Sequence, residues 1–482
     1  MSDVVIIGAG PAGMAAALAA RARGRRVVVL DASDALGGQY WRHLPPERAS
    51  RHEERLHHGW TRFQTMRARI ADDRDCEVVT SAHVWSIERG RIHVMVGAPD
   101  GADRESRVYE PTSLVLATGA FDRTLPVPGW ELPGVFTAGG AQAFAKGERV
   151  AVGERVAVAG AGPFLLPVAA SLIGAGSTVA GIYEASRASK LARHWSARPW
   201  ELLASPAKAV ELAGYAATLL RHRVAYVTGH AVTAIEGRDR VESIIVSALD
   251  AAWRPIAGSE RVVAVDAVCL GHGFTPRIEL ALAAGCELNQ ERFVRVNDEQ
   301  RTSVASVFAA GEITGIGGVD LALVEGALAG HFAAGGGRSD PAVRNLRLRR
   351  LVLQRFAERL ARAHAIGENW TSWLSDDTIV CRCEEVSFQA IANAAAASSS
   401  SGLRSLKLLT RAGLGPCQGR VCGRSLEEIL APYARNGQPY DSRTTDYRPV
   451  AMPIRLGELV APTRTPSATA HSTQPGRARK NG

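Results

Sequence analysis

Lysine is scarce in this 482-residue chain: it supplies five of the 57 basic residues, at 146, 190, 208, 407 and 480, and arginine supplies the rest. No apolar stretch reaches the ~18 uncharged residues that a membrane span needs, so none is expected. The first residues carry no basic leader or cleavage pattern, and a fold begins at once, which argues against export. Seven cysteines in so long a chain exclude a disulfide scaffold. None lies between Cys76 and Cys269, so no C-x-x-C dithiol is available there. A composition 46% hydrophobic and 22% charged excludes a mainly disordered or fibrous chain, and the length implies about two to four domains.

Residues 3–31 read DVVIIGAGPAGMAAALAARARGRRVVVLD. A buried strand leads into Gly8, an Ala-rich helix follows, and a second strand ends at Asp31. Gly8, Gly10 and Gly13 form the G-x-G-x-x-G turn of a dinucleotide site, with Pro11 and Ala12 inside it. Gly8 permits the tight turn, Gly10 lets backbone approach a pyrophosphate, and Gly13 lets helix and strand pack closely. The helix start offers unpaired N–H groups and about half a positive charge to phosphate. Asp31 sits where a carboxylate accepts from ribose hydroxyls.

Residues 155–185 repeat this pattern with Gly160 and Gly162, but Leu165 stands at the third glycine position and Glu184 ends the second strand. Leu165 is expected to crowd the helix against the strand. Pro163 and Pro167 bracket the helix start, the second lying deeper than the first turn. LVLATGAFDR at 114–123 is echoed by AVCLGHGFTP at 267–276, so each turn has its own closing strand. The pattern is of one nucleotide domain inserted in another. The fold class expected is α/β, with two nested Rossmann-like dinucleotide-binding domains and a small helical domain for the late cysteines.

Those are Cys381 and Cys383 in C-x-C, then, after 33 residues, Cys417 and Cys422 in C-x4-C. Four thiolates in two pairs suit a 2Fe-2S cluster or a tetrahedral zinc. The C-x-C spacing is uncommon for structural zinc and favours the cluster. Glycines 413, 415, 419 and 423 leave backbone N–H groups free to face sulfur. Cys76, Cys269 and Cys286 stand alone and read as core residues.

The order of motifs resembles the two-dinucleotide-binding flavoproteins: fingerprint, Gly38-Gln39, Thr118-Gly119 closing a strand, then Gly311-Glu312. In that superfamily the first turn binds FAD and a late Gly-Asp holds the flavin; here the acid is one methylene longer. The resemblance implies that the helix after it, Leu321 to Gly330, aims its N-terminus at the flavin. An insert of this kind usually binds NAD(P)H. Glu184 would favour NAD over NADP by repelling a 2′-phosphate, with Arg187 nearby opposing. Another adenine nucleotide or an empty retained fold are the other readings. The late cysteine segment, with CRCEE and GPCQGRVCG, resembles the bacterioferritin-associated-ferredoxin-like 2Fe-2S domain.

Over residues 1–460 the whole order resembles the FAD and 2Fe-2S subunits of hetero-oligomeric amino-acid dehydrogenases, the class of opine oxidase, hydrogen cyanide synthase and proline dehydrogenase subunits. This implies a partner flavoprotein dehydrogenase subunit that oxidises a C–N bond, a small 2Fe-2S protein beside it, and a cytoplasmic site or one at the inner-membrane face. A stand-alone NADH-dependent reductase and a non-catalytic redox sensor or scaffold are the alternatives. The expected domains are 1–123 and 263–337 for FAD, 124–262 for the insert, 338–375 for a linker helix region, 376–436 for the cluster, and 437–482 for an arm and tail.

No general base is positioned by sequence logic. His43, His52, His57 and His58 follow Tyr40 and Trp41 in a polar stretch and read as a solvated loop. Tyr40 and Trp41 would pack at the flavin or form an apolar lid. The net charge of +9 is local. Residues 338–362 hold eight arginines against Asp340 and Glu358, and residues 461–482 hold four basic residues and no acid. That excludes a nucleic-acid-binding surface and points to a helix and a tail. In the helix, Leu348, Val352, Phe356 and Leu360 form one stripe, suited to domain packing, a partner contact or a membrane surface. The tail, without a periodic apolar face, is expected to be disordered.

Overall fold

A computed structural model describes residues 3–48, 53–199, 206–397, 402–433, 446–448 and 450–460. The serine run 398–401, which the sequence reads as a flexible turn leading into Gly402, and the tail after 460 lie outside the described residues. The first lobe is a five-stranded parallel sheet in the order 307–309, 113–116, 4–7, 27–30, 76–79. Its central strand, Val4–Ile7, is apolar throughout because both faces are covered and every residue is buried: Val4 and Ile6 pack on helices, Val5 and Ile7 on the antiparallel sheet within 82–109 and on residues 278–286. The helices Pro11–Arg21 and Gly318–Ala333 cross this lobe in close contact. A Cβ on Gly326 would stand 2.0 Å from Ala12 O, and one on Gly330 2.1 Å from Ala16 O. Small residues at that crossing let the backbones touch.

The second lobe repeats the plan: 226–228, 178–184, 155–160, 267–271, 135–137, again parallel. Each lobe carries a three-stranded antiparallel sheet, at 82–109 and 230–264. The two lobes are joined by paired strands, 120–122 against 274–276. The strand Ala267–Gly271 hydrogen-bonds to Arg155–Gly160, so the insert extends past the expected limit at 262. Its closing strand must pair with its own fingerprint strand, as Ser113–Leu116 does with Val4–Ile7.

The linker helix runs Pro341–Ala363, with Pro341 in its first turn and Asp340 as its cap. Its packed face differs from the expected stripe. Val343, Leu353 and, more partially, Leu346 and Ala357 join the first lobe's core, whereas Leu348 is 57% exposed. Buried Arg350 shares that face, and an amphipathic count that scores arginine as polar shifts the stripe. The helix charge is also largely spent inside the molecule. Arg347 pairs with Asp298 at 2.6 Å, Arg350 with Glu325 at 3.2 Å, and Arg362 with Glu358 at 2.9 Å.

The cysteine segment forms the helices Phe388–Ala397, Leu403–Thr410 and Gly423–Leu430. Among the described residues it has no separate core. Ile391, Leu403, Leu406 and Leu426 belong to one apolar cluster with Trp253, Val268 and Leu270 of the insert. Trp253 and Trp373 stack at 5.7 Å, and Trp373 Nε1 donates to Trp253 O at 2.8 Å.

Candidate functional site

The first glycine turn is held by direct backbone approach. Gly8 has φ +102°, and a Cβ there would stand 2.2 Å from Ala117 O; on Gly13 it would stand 1.8 Å from Gly8 O. Gly10 faces open space and Gly38 packs against it. Asp31 accepts from Ala9 N and, at 2.7 Å, from Ser33 N. A cavity of about 1830 Å³ opens from this turn. Its walls include Gly8, Gly10, Pro11, Ala12, Asp31, Gly38, Gln39, Thr118, Gly119, Gly311 and Glu312, so the first-site residues expected from the sequence meet there; Gly13 lies behind. Volume beyond the few hundred to ~1,000 Å³ of an ordinary ligand pocket leaves room for a dinucleotide and more.

Glu312 lines this cavity without a hydrogen-bond partner among the described residues. Burial, with the nearby Asp122 carboxylate, pushes it up to about 7. The Gly311 turn is fixed from behind by Glu325, which accepts from Gly311 N at 3.1 Å and Thr314 Oγ1 at 2.8 Å. Sequence reading missed Glu325, because an acid inside an apolar helix carries no motif. It also missed Lys146, which lies 5.6 Å over the Tyr40 ring in the cavity wall. Burial, then Arg149, lowers its ammonium to about 8. Tyr40 faces the cavity, while Trp41 is core, 5.2 Å from Phe63. Of the histidines after them, His58 is exposed in a turn as a solvated loop requires, but His57 is not solvated. His57 is buried and stacked on Trp60 at 4.8 Å, and burial, with Lys146, Arg149 and His43 nearby, lowers it to about 3. His43 packs edge-on to Trp60, and His58 lines the cavity. His52 is outside the described residues.

At its far end the cavity reaches Cys417 and Arg420. The four late cysteines ring a second hollow of about 140 Å³, with Trp130, Arg382 and Val421. Gly413 N donates to Cys381 Sγ at 3.4 Å. Hydrogen bonds from Cys422 and from backbone N–H groups, against burial, bring Cys381 down to about 6 and Cys417 to about 4. The same hydrogen bonds, with burial, push Cys422 up, and burial raises Cys383. Four sulfurs around one hollow suit an iron–sulfur cluster. Among the described residues no three His, Cys, Asp or Glu side chains gather as a single-ion site. Cys76, Cys269 and Cys286 are buried apart from the cluster.

The second glycine turn differs in shape. Leu165 cannot enter the helix–strand contact that Gly13 makes. The helix instead starts at Leu165 itself, whereas the first starts at Pro11 directly after Gly10. This relieves the expected crowding: Leu165 is core, and Pro167 falls in the first helical turn, where proline is tolerated. Gly162 lines the cavity; Glu184 does not.

Residues 2–329 match the family model described as pyridine nucleotide-disulphide oxidoreductase. The chain belongs to that family. Residues 379–432 match the BFD-like [2Fe-2S] binding domain. An opine oxidase subunit from Rhizobium meliloti is 34% identical over 479 residues, covering 95% of this chain and 87% of that one. Hydrogen cyanide synthase subunit HcnB of Pseudomonas protegens is 31% identical over 434 residues, covering 87% and 89%. A crystal structure of L-proline dehydrogenase from P. horikoshii shares the fold, with TM-score 0.62 at 20% identity over 95% of this chain and 79% of that one. The chain is a flavin-dependent oxidoreductase whose cofactors are FAD and a 2Fe-2S cluster. Among the described residues no helix is long and apolar enough to cross a membrane.

Proposed function

We propose that this chain is the electron-transfer subunit of a hetero-oligomeric dehydrogenase that oxidises the C–N bond of an amino acid or opine on a partner flavoprotein. The observation that carries this reading is the single cavity running from the first glycine turn to Cys417. Bound FAD supplies two-electron chemistry and the cluster one-electron carriage, and no acid–base group of the protein is required for either. Gly8, Gly10 and Gly13 with Asp31 hold the adenosine diphosphate end, and Gly38, Gln39, Thr118, Gly119, Gly311 and Glu312 line the flavin end. Cys381, Cys383, Cys417 and Cys422 hold the cluster. Cys383 is exposed, and Leu414 and Val421 beside this segment are 40% and 46% exposed, which supports delivery of electrons to or from another protein. The relatives are themselves named as subunits. The partner is a flavoprotein dehydrogenase, with a small 2Fe-2S protein as a third component, in the cytoplasm.

The test is co-expression with the proteins encoded in the adjacent reading frames, among which a second flavoprotein is expected. The purified complex should bleach on anaerobic addition of an amino acid or opine, while the chain alone should not. Bleaching of the chain alone, or failure of the two proteins to copurify, overturns the reading.

A further inference from the structure

The two glycine turns differ most where a nucleotide would touch them. In the first, the N–H groups of Gly10, Ala12 and Gly13 have no partner among the described residues, and Asp31 accepts two hydrogen bonds. A carboxylate has about four acceptor positions, so two remain for ribose hydroxyls. In the second, Gly162 N is taken by Glu184 Oε2 at 2.9 Å. Pro163 and Pro167 have no N–H. Leu165 N donates to Gly162 O and Leu166 N to Pro163 O. Only Phe164 N is left to meet a phosphate.

Glu184 is fully buried, and four donors meet it: Ser186 N at 2.9 Å on Oε1, and Gly162 N at 2.9 Å, His364 Nδ1 at 3.2 Å and Tyr226 OH at 3.4 Å on Oε2. Burial raises this carboxyl, but the His364 hydrogen bond and the two N–H groups bring it below its ordinary value. His364 caps the linker helix. That helix end is anchored on the second lobe by other contacts. Arg359 donates to the carbonyls of His194, Trp195 and Arg198, and Lys190 Nζ donates to Ala365 O at 2.9 Å.

We infer that the second dinucleotide fold has given its nucleotide contacts to the chain's own linker: His364, which lines the cavity beside Gly162, takes the Glu184 oxygen that a ribose would use, and the remodelled turn withdraws the phosphate donors. The chain therefore takes no hydride from NADH or NADPH. This deepens the proposed function, in which reducing equivalents come through a partner.

The test uses the flavin- and cluster-loaded chain. Millimolar NADH or NADPH, added anaerobically, should leave the flavin spectrum unchanged, with dithionite bleaching as the control. Isothermal titration with NAD⁺ should show no binding. In His364→Ala, amide exchange at Gly162 and Ser186 should rise at least tenfold, with residues 8–13 unaffected. Flavin bleaching by either nucleotide, micromolar binding of NAD⁺, or unchanged exchange in the variant would each overturn the inference. None of these readouts depends on a partner, so copurification can fail while the inference stands, and the reverse.

Discussion

Arg350 Nε stands 3.2 Å from Glu325 Oε1, and both side chains are buried. The other carboxylate oxygen accepts from Gly311 N and Thr314 Oγ1. The linker helix is thus tied to the Gly311 turn of the cavity proposed for flavin, while its far end is tied to Glu184 of the second lobe. One helix joins both nucleotide folds before the chain enters the cluster segment.

Removing Arg350 leaves Glu325 buried and uncompensated. Burial raises the Glu325 carboxyl, and the Arg350 charge is the largest opposing influence. Breaking one side of such a pair costs about 3–5 kcal/mol. Arg350→Met should lower the urea midpoint accordingly and release flavin from the purified protein, measured by absorbance after desalting. Arg350→Lys should recover part of both.

Glu312 gives a pH dependence of defined sign. Its folded value lies near 7 against an ordinary 4.5, with burial as the main cause and Asp122 second. The folded state therefore binds the proton more tightly. The stability this contributes is complete below the ordinary value and is lost as pH rises through about 7. Glu312→Gln should remove that loss. Chemical denaturation at about pH 5 and about pH 8 should show the wild type weakening more than the variant between the two. Equal slopes would place the Glu312 carboxyl outside the buried site.

Much of this was legible in the sequence because the strand–turn–helix pattern and the paired cysteines have local spacing. Gly8, Asp31 and the four late cysteines needed no tertiary information. The expected insert boundary was early because the closing strand 267–271 is assigned by its pairing partner, which no local pattern states. The linker stripe shifted because Arg350 is buried by Glu325, a residue 25 positions earlier in another helix. His57 looked solvated in a polar run, yet its ring stacks on Trp60 inside the first lobe. The role of Glu184 was unreadable for the same reason: its decisive donor, His364, lies 180 residues away.

The third positions of the two glycine turns should respond in opposite ways. A Cβ at Gly13 meets Gly8 O at 1.8 Å, with backbone on both sides and nothing flexible to yield. Gly13→Ala should cost ~1–3 kcal/mol through overpacking and abolish flavin retention. Leu165 is instead 1% exposed within the second lobe's core. Leu165→Ala should cost about 2–5 kcal/mol as a cavity with flavin binding kept. Thermal melts paired with flavin content separate the two outcomes.

The shared core gives the four late cysteines, proposed as cluster ligands, a structural consequence. Cys381 and Cys422 are buried in the same apolar cluster as Trp253 and Leu270 of the insert. Losing the cluster should therefore loosen both regions together. Cys417→Ser should abolish the iron–sulfur absorption and lower the melting temperature in one cooperative transition, with flavin still present before melting. Cys76→Ser, a buried position outside that group, should keep full iron content at a modest stability cost. Iron analysis and calorimetry on the two variants decide it: an unchanged visible spectrum in Cys417→Ser would exclude Cys417 as a ligand, and two separate melting transitions would mean that the cluster segment does not share the insert's core.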